Sequence, residues 1–260
     1  MAKNNVITQT LRLFLPLVLY TATLPGIGLL HPNCEDITTI GGQWYYAWAV
    51  KPPVGCEAPG FVPMICTRNN VGGMGIAISN AQSGWLMGFN EPDRADQGNI
   101  TPEEAAVFWH SLEQAAPDVR LVSPAASQHD PGWLWRMVIA YQRMYHTSPR
   151  FDAIAWHIYA PNAEYAKSYI LARRREMLSY GYSVPVWITE YAGYCTTGQG
   201  VTDVMVNFTA WMEQQYWIER YAWFGSRIYP VERWGSGYQA CSLVDPATGG
   251  LTVLGKKYMR

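Results

Sequence analysis

Short apolar runs rich in β-branched and aromatic residues recur along the chain, most of them ending at a turn former or a charge. They cover residues 26–30, 44–50, 61–65, 85–89, 120–124, 151–159, 185–191 and 220–225. Runs of this length without polar alternation predict parallel strands covered on both faces. The later runs are separated by amphipathic stretches that predict helices over 101–116, 130–146, 163–180 and 201–215, with a short closing helix in the tail, 251–260. The first of these has a full start signal, with Thr101 as cap, Pro102 in the first helical position and Glu104 in the third. Gly181 is placed to end the third. Residues 69–83 are glycine-rich and poorly patterned, with room for one short helix. Eight buried strands alternating with crossovers predict an α/β fold, a compact and partly degenerate (β/α)8 TIM barrel, because several early crossovers are too short for full helices. No repeat, low-complexity run or linker interrupts residues 26–260, which read as one domain.

Composition narrows this picture. The net charge of −1 gives no reason to expect nucleic acid or an acidic surface as partner. Twelve Trp and seventeen Tyr exceed what packing alone asks for, and flat rings of this kind also stack on sugar faces. Lys3 and Arg12 precede an apolar run at 13–20 and small residues at 21–23. Residues 1–25 therefore read as a secretory leader, with an N-terminal anchor or a packed helix as the alternatives. No other segment is long and apolar enough to suggest a membrane span. Five cysteines fit an oxidising compartment, and their spacing offers no zinc-site pattern. Cys195 and Cys241 are the expected pair, since both fall in loops after the last two strands; other pairings stay open. Asn99 and Asn207 begin glycosylation sequons.

Two of the strands stop at a lone glutamate. Glu91 follows 85–89 between Asn90 and Pro92, and Glu190 closes 185–191. In α/β folds chemistry gathers at the carboxyl ends of strands. Two glutamates at one rim suit retaining glycoside hydrolysis, in which one carboxyl protonates the leaving oxygen and the other attacks the anomeric carbon. The plainer readings are an Asn/Pro/Asp turn at Glu91 and an ion-paired strand end at Glu190. Asn90 is either a sugar-hydroxyl ligand or a turn cap. His157 is either a site residue or a satisfied core histidine. Trp48 and Trp223 are the candidate rings for stacking on the substrate.

The ordered motifs 88–93 (GFNEPD), 123–125 (SPA), His157 with Tyr159, 187–190 (WITE) and 219–225 (ERYAWFG) resemble glycoside hydrolase family 128, compact endo-β-1,3-glucanases of the retaining clan A. The resemblance spans residues 26–258. It implies Glu91 as acid/base, Glu190 as nucleophile, Asn90 on the sugar 2-hydroxyl, and His157 and Tyr159 as a polar pair near the carboxylates. It implies no metal or cofactor, and a monomeric, secreted or wall-associated protein acting on a polysaccharide. Two positions depart from the pattern. Ile158 stands where a Trp is usual, with Trp156 nearby, which bears on the aromatic platform of that strand, and His31-Pro32-Asn33 stands where Tyr-Asn is common. The alternatives are a non-catalytic glucan-binding protein on the same barrel and a clan A hydrolase acting on another β-glycan.

Overall fold

The computed structural model describes residues 22–230 and 236–259. Among these residues seven strands form: β1 Leu24–Gly28, β2 Trp44–Tyr46, β3 Trp85–Met87, β4 Arg120–Val122, β5 Ile154–Tyr159, β6 Val186–Ala192 and β7 Ile218–Trp223. All pair in parallel, as one sheet in the order β2-β1-β7-β6-β5 and a second of β3 with β4. Single parallel bridges, Tyr45 to Phe61, Met64 to Met87 and Val122 to Ala153, carry the ring across the gaps. The third expected strand, 61–65, is therefore a bridged segment rather than a strand. Pro63 has no N–H to give a ladder, although its carbonyl still accepts from Met87 N at 2.9 Å. The result is a partly degenerate eight-membered barrel.

Strict alternation sorts the side chains. Trp44, Tyr46, Met64, Trp85, Met87, Val122, Ala155, Trp187 and Ala222 pack inside the barrel. Their neighbours Tyr45, Leu86, Leu121, Ile154, Trp156, Ile158, Ile188, Tyr221 and Trp223 face the helical layer. That layer holds α1 Glu35–Ile40, α2 Met74–Asn80, α3 Pro102–Ala115, α4 Trp133–Tyr145 and α5 Ala163–Ser179. It is completed by α6 Val201–Asp203, a π-helical stretch Val204–Phe208, α7 Thr209–Met212 and α8 Val253–Tyr258. Thr101 and Glu104 form the expected capping box at α3. α1 had no sequence signal strong enough to announce it, with only six residues and no side-chain cap.

Two kinds of boundary differ from the expectation. β1 begins at Leu24, and Leu24 and Pro25 pair with Arg220 and Tyr221 of β7, so the folded unit starts inside the segment read as leader. The rest of that leader, residues 1–21, lies outside the described residues. β2, β3 and β4 each stop after three residues, earlier than the apolar runs suggest, because the chain beyond them leaves the ladder to build the rim.

Two disulfides tie the crossovers down, Cys34–Cys56 and the expected Cys195–Cys241, while Cys66 is a buried free thiol inside the barrel. Arg227, in the loop after β7, is fastened to the fully buried Asp36 of α1 through two nitrogens. No helix among the described residues is long and apolar enough to cross a membrane.

Candidate active site

The carboxyl rim collects side chains from β3, β5 and β6 and from the turn after β2. After β3 the chain runs tightly past its neighbour, since a Cβ on Gly88 would lie 2.8 Å from both Pro124 N and the Trp109 ring. Asn90 N then donates to Cys66 O at 2.9 Å and Glu91 N to Ala125 O at 2.8 Å. Glu91 takes a left-handed backbone, φ 38°, which costs a non-glycine residue roughly 1–2 kcal/mol. The neighbouring turn holds it there: Asp93 accepts from Ser127 N at 2.7 Å and from the Ser127 hydroxyl, and Arg94 N donates to Glu91 O at 3.0 Å. Strain that is over-determined by its surroundings is typical of working sites.

Glu190 reaches the same space by a different device. Trp187 points into the barrel, so alternation alone would send Glu190 outward. Between the pairs Trp156–Ile188 and His157–Glu190 the register shifts, and Thr189 is the extra residue. This bulge turns Glu190 inward. The strand does not end there, as expected, but continues to Ala192.

The two carboxylates converge on one imidazole. His157 Nδ1 is 3.2 Å from Glu91 Oε1 and 3.6 Å from Glu190 Oε2, and the three contributing atoms all lie within 4.8 Å of one another. His157 is 2% exposed, Glu190 5% and Glu91 8%. Tyr159, two residues along β5 and on the same face, donates its hydroxyl to Glu190 Oε2 at 2.6 Å. Trp48 Nε1 is 3.1 Å from Glu190 Oε1 and 3.2 Å from Asn90 Oδ1. Arg94 Nε is 3.4 Å from Glu91 Oε2 on the solvent side. Two carboxylates and an imidazole could also ligate a divalent cation.

The electrostatics of the pair are unequal. Burial, helped by the Glu91 charge, pushes the Glu190 carboxyl up and outweighs His157 and the Tyr159 and Trp48 hydrogen bonds that favour the charged form. Burial works in the same direction on Glu91, but the His157 hydrogen bond and charge, with Arg94, hold this carboxyl below its ordinary value. Burial alone would lower His157; the Glu190 and Glu91 charges raise it instead. Both shifts favour an ion pair between a protonated His157 and an ionised Glu91. Glu190 is bonded to two neutral donors, a phenol and an indole, neither of which gives up its proton near neutral pH.

The candidate rings divide. Trp48 is at the site. Trp223 is not: it is 1% exposed, faces the helical layer, and donates Nε1 to Cys241 O at 2.7 Å. The next residue, Phe224, takes the rim position, with its ring 6.2 Å from Trp48 and 6.0 Å from Tyr159. Sequence reasoning missed it, yet counting outward from a small interior residue, Ala222, would have found it. Trp156 and Ile158 are two residues apart and share the outward face, so neither offers a platform at the rim.

The comparisons with known proteins accord with this geometry. A family model described as glycosyl hydrolase catalytic core matches residues 33–258. Among solved structures, an endo-β-1,3-glucanase from Amycolatopsis mediterranei bound to laminaritriose is similar at 27% identity and TM-score 0.71, over 92% of this chain and 98% of that one. An endo-β-1,3-glucanase from Pseudomonas viridiflava is similar at 26% identity and TM-score 0.72, over 92% and 97%. A curdlan-specific exo-β-1,3-glucanase from Blastomyces gilchristii is similar at 29% identity and TM-score 0.71, over 91% and 97%. These three are family 128 enzymes. A search of curated proteins finds no match.

Proposed function

The chain belongs to the glycosyl hydrolase catalytic core family, and on that premise we propose that it is a retaining endo-β-1,3-glucanase with Glu91 as acid/base and Glu190 as nucleophile. One observation carries the mechanism: oxygens of the two glutamates approach within 4.8 Å around His157. Retaining enzymes hold their carboxyls about 5–5.5 Å apart, and inverting ones about 6.5–9.5 Å to admit a water.

The partners of each carboxylate support these roles. Glu190 Oε2 and Oε1 accept from Tyr159 and Trp48, donors that orient a carboxylate without exchanging protons with it. Glu91 is bonded to His157, which does exchange protons. The resting site places the lower-titrating carboxyl at Glu91, opposite to what a lone acid requires. The Glu91–His157 pair meets the requirement together. As Glu190 attacks C1, Glu91 passes to the leaving oxygen the proton it receives from His157, which leaves Glu91 a carboxylate and His157 neutral. The attack also turns Glu190 into a neutral ester, which removes the charge that held the proton on His157 and favours its release. Water then gives its proton to Glu91 and attacks C1, the ester breaks, and Glu190 returns as carboxylate. Two inversions retain the anomeric configuration.

The β-1,3 linkage and endo action are supported by what the similar enzymes act on. Secretion is supported by the two disulfides, which persist in oxidising compartments. The test is sugar release from laminarin-type glucan, with product sizes by chromatography and the first-formed anomer by NMR. Internal cleavage with β-anomers first is expected, and Glu91→Gln and Glu190→Gln should each lose at least about 10³-fold in kcat. Binding without release of reducing ends would make the protein a glucan-binding module. α-Anomers first would end the retaining assignment.

A further inference from the structure

Trp48 stands out because its one donor serves two acceptors. Its indole Nε1 is 3.1 Å from Glu190 Oε1 and 3.2 Å from Asn90 Oδ1, across 142 and 42 residues of chain. The surroundings are built to place it. Trp48 adopts a left-handed backbone, φ 48°, unusual for a bulky aromatic. Its ring meets Tyr46 edge-on at 4.7 Å and Phe224 at 6.2 Å. The far edge of the ring lies over Gly28, where an added Cβ would come within 2.7 Å of Cη2. Tyr46 is itself anchored by its hydroxyl on Thr189 O at 2.6 Å, one residue before the nucleophile.

We infer that Trp48 is a positioning residue for the reaction, acting through Glu190 and Asn90 with its N–H rather than only as a flat surface for sugar. An indole N–H can donate and cannot accept. It therefore fixes which way the Asn90 amide faces: Oδ1 turns to the indole, and Nδ2 is left to donate elsewhere, to a hydroxyl of the sugar at the reacting centre. The same N–H holds one oxygen of Glu190 while Tyr159 holds the other, so the carboxylate plane is set from both sides. The bond also favours the charged form of Glu190, against the burial that opposes it. The inference rests on Glu190 being the nucleophile.

The test separates the N–H from the ring. Trp48→Phe keeps an aromatic without the donor. Replacing Trp48 by benzothienylalanine keeps the whole shape with sulfur in place of N–H, which guards against a folding defect. Both should lower kcat at least tenfold with KM within threefold, and move the acid limb of kcat/KM to higher pH. Asn90→Ala should cost less in the Trp48→Phe background than in the wild type. Wild-type kcat and acid limb in the benzothienylalanine protein would overturn the inference, as would a loss confined to KM, which a stacking surface alone would give. Inactive Glu190→Gln beside a fully active Trp48→Phe sinks this inference alone; turnover by Glu190→Gln sinks the nucleophile assignment beneath it.

Discussion

Removing a single oxygen tests how Glu190 is kept ready. Tyr159→Phe deletes the hydroxyl that donates to Glu190 Oε2 at 2.6 Å and leaves a ring of the same shape on β5, so the barrel has no cavity to close. The bond is partly buried, and it is charge-assisted when Glu190 is ionised. Hydrogen bonds to charged groups contribute about 1.5–3 kcal/mol, and at about 1.36 kcal/mol per factor of ten the loss in kcat/KM should be roughly 10- to 150-fold. The sign of the pH effect follows from the same contact. Burial holds Glu190 above its ordinary value, and Tyr159 is one of the groups opposing that rise. Without the hydroxyl the carboxyl moves further up. Since attack needs the carboxylate, the acid limb of kcat/KM shifts to higher pH, by up to about one to two units. Tyr159 itself titrates well above 10, so it remains a donor throughout and adds no limb of its own. The assay is initial-rate reducing-sugar release from laminarin-type glucan at a series of pH values, with a thermal melt to check the fold. A Tyr159→Phe protein within twofold of wild type, with its acid limb unmoved, would refute the account of how this carboxylate is held.

Other consequences follow from the same structure. Glu190→Gln should abolish turnover yet raise Tm at pH 7. A carboxyl whose folded-state value is raised contributes its stability below the unfolded value, and that stability is lost as the group ionises with rising pH. The gain from Gln should therefore shrink to nothing near pH 4, and a Tm gain independent of pH would contradict this origin. Asp36→Ala leaves Arg227 buried with its main partner gone, and urea unfolding should show a loss of about 3–5 kcal/mol; a change under about 1 kcal/mol would show the pair to be solvated. Intact-mass analysis should find no alkylation of the native protein, one site on unfolding without reductant, and five after reduction, because Cys66 is buried and the other four cysteines are paired. Alkylation of the native protein would place that thiol in reach of solvent.

Much of the architecture is legible in the chain because its signals are local. Apolar runs that end at Pro or at a charge mark most of the barrel strands, and the Thr101–Glu104 box marks its helix start to the residue. The pair of lone glutamates after such runs points to the chemistry by itself. Local signals failed where the backbone departs from regularity. The run at 61–65 looks like a strand, but Pro63 reduces it to bridges. Trp223 is a candidate ring by residue type, whereas facing is decided by parity, which turns Phe224 to the rim instead.

What the sequence determines alone is therefore where most of the strands and helices lie, the alternation along each regular strand, and which ionisable side chains are candidates for the chemistry. What the tertiary structure decided is their convergence. Glu190 would face the helices but for one extra residue in its strand, and a shift of one residue exchanges the faces. His157 lies 66 residues from Glu91 and Trp48 lies 142 from Glu190, and only closure of the ring puts them within hydrogen-bonding distance. Periodicity describes a strand's faces, whereas register and closure are set by contacts between distant segments, which no single stretch of sequence contains.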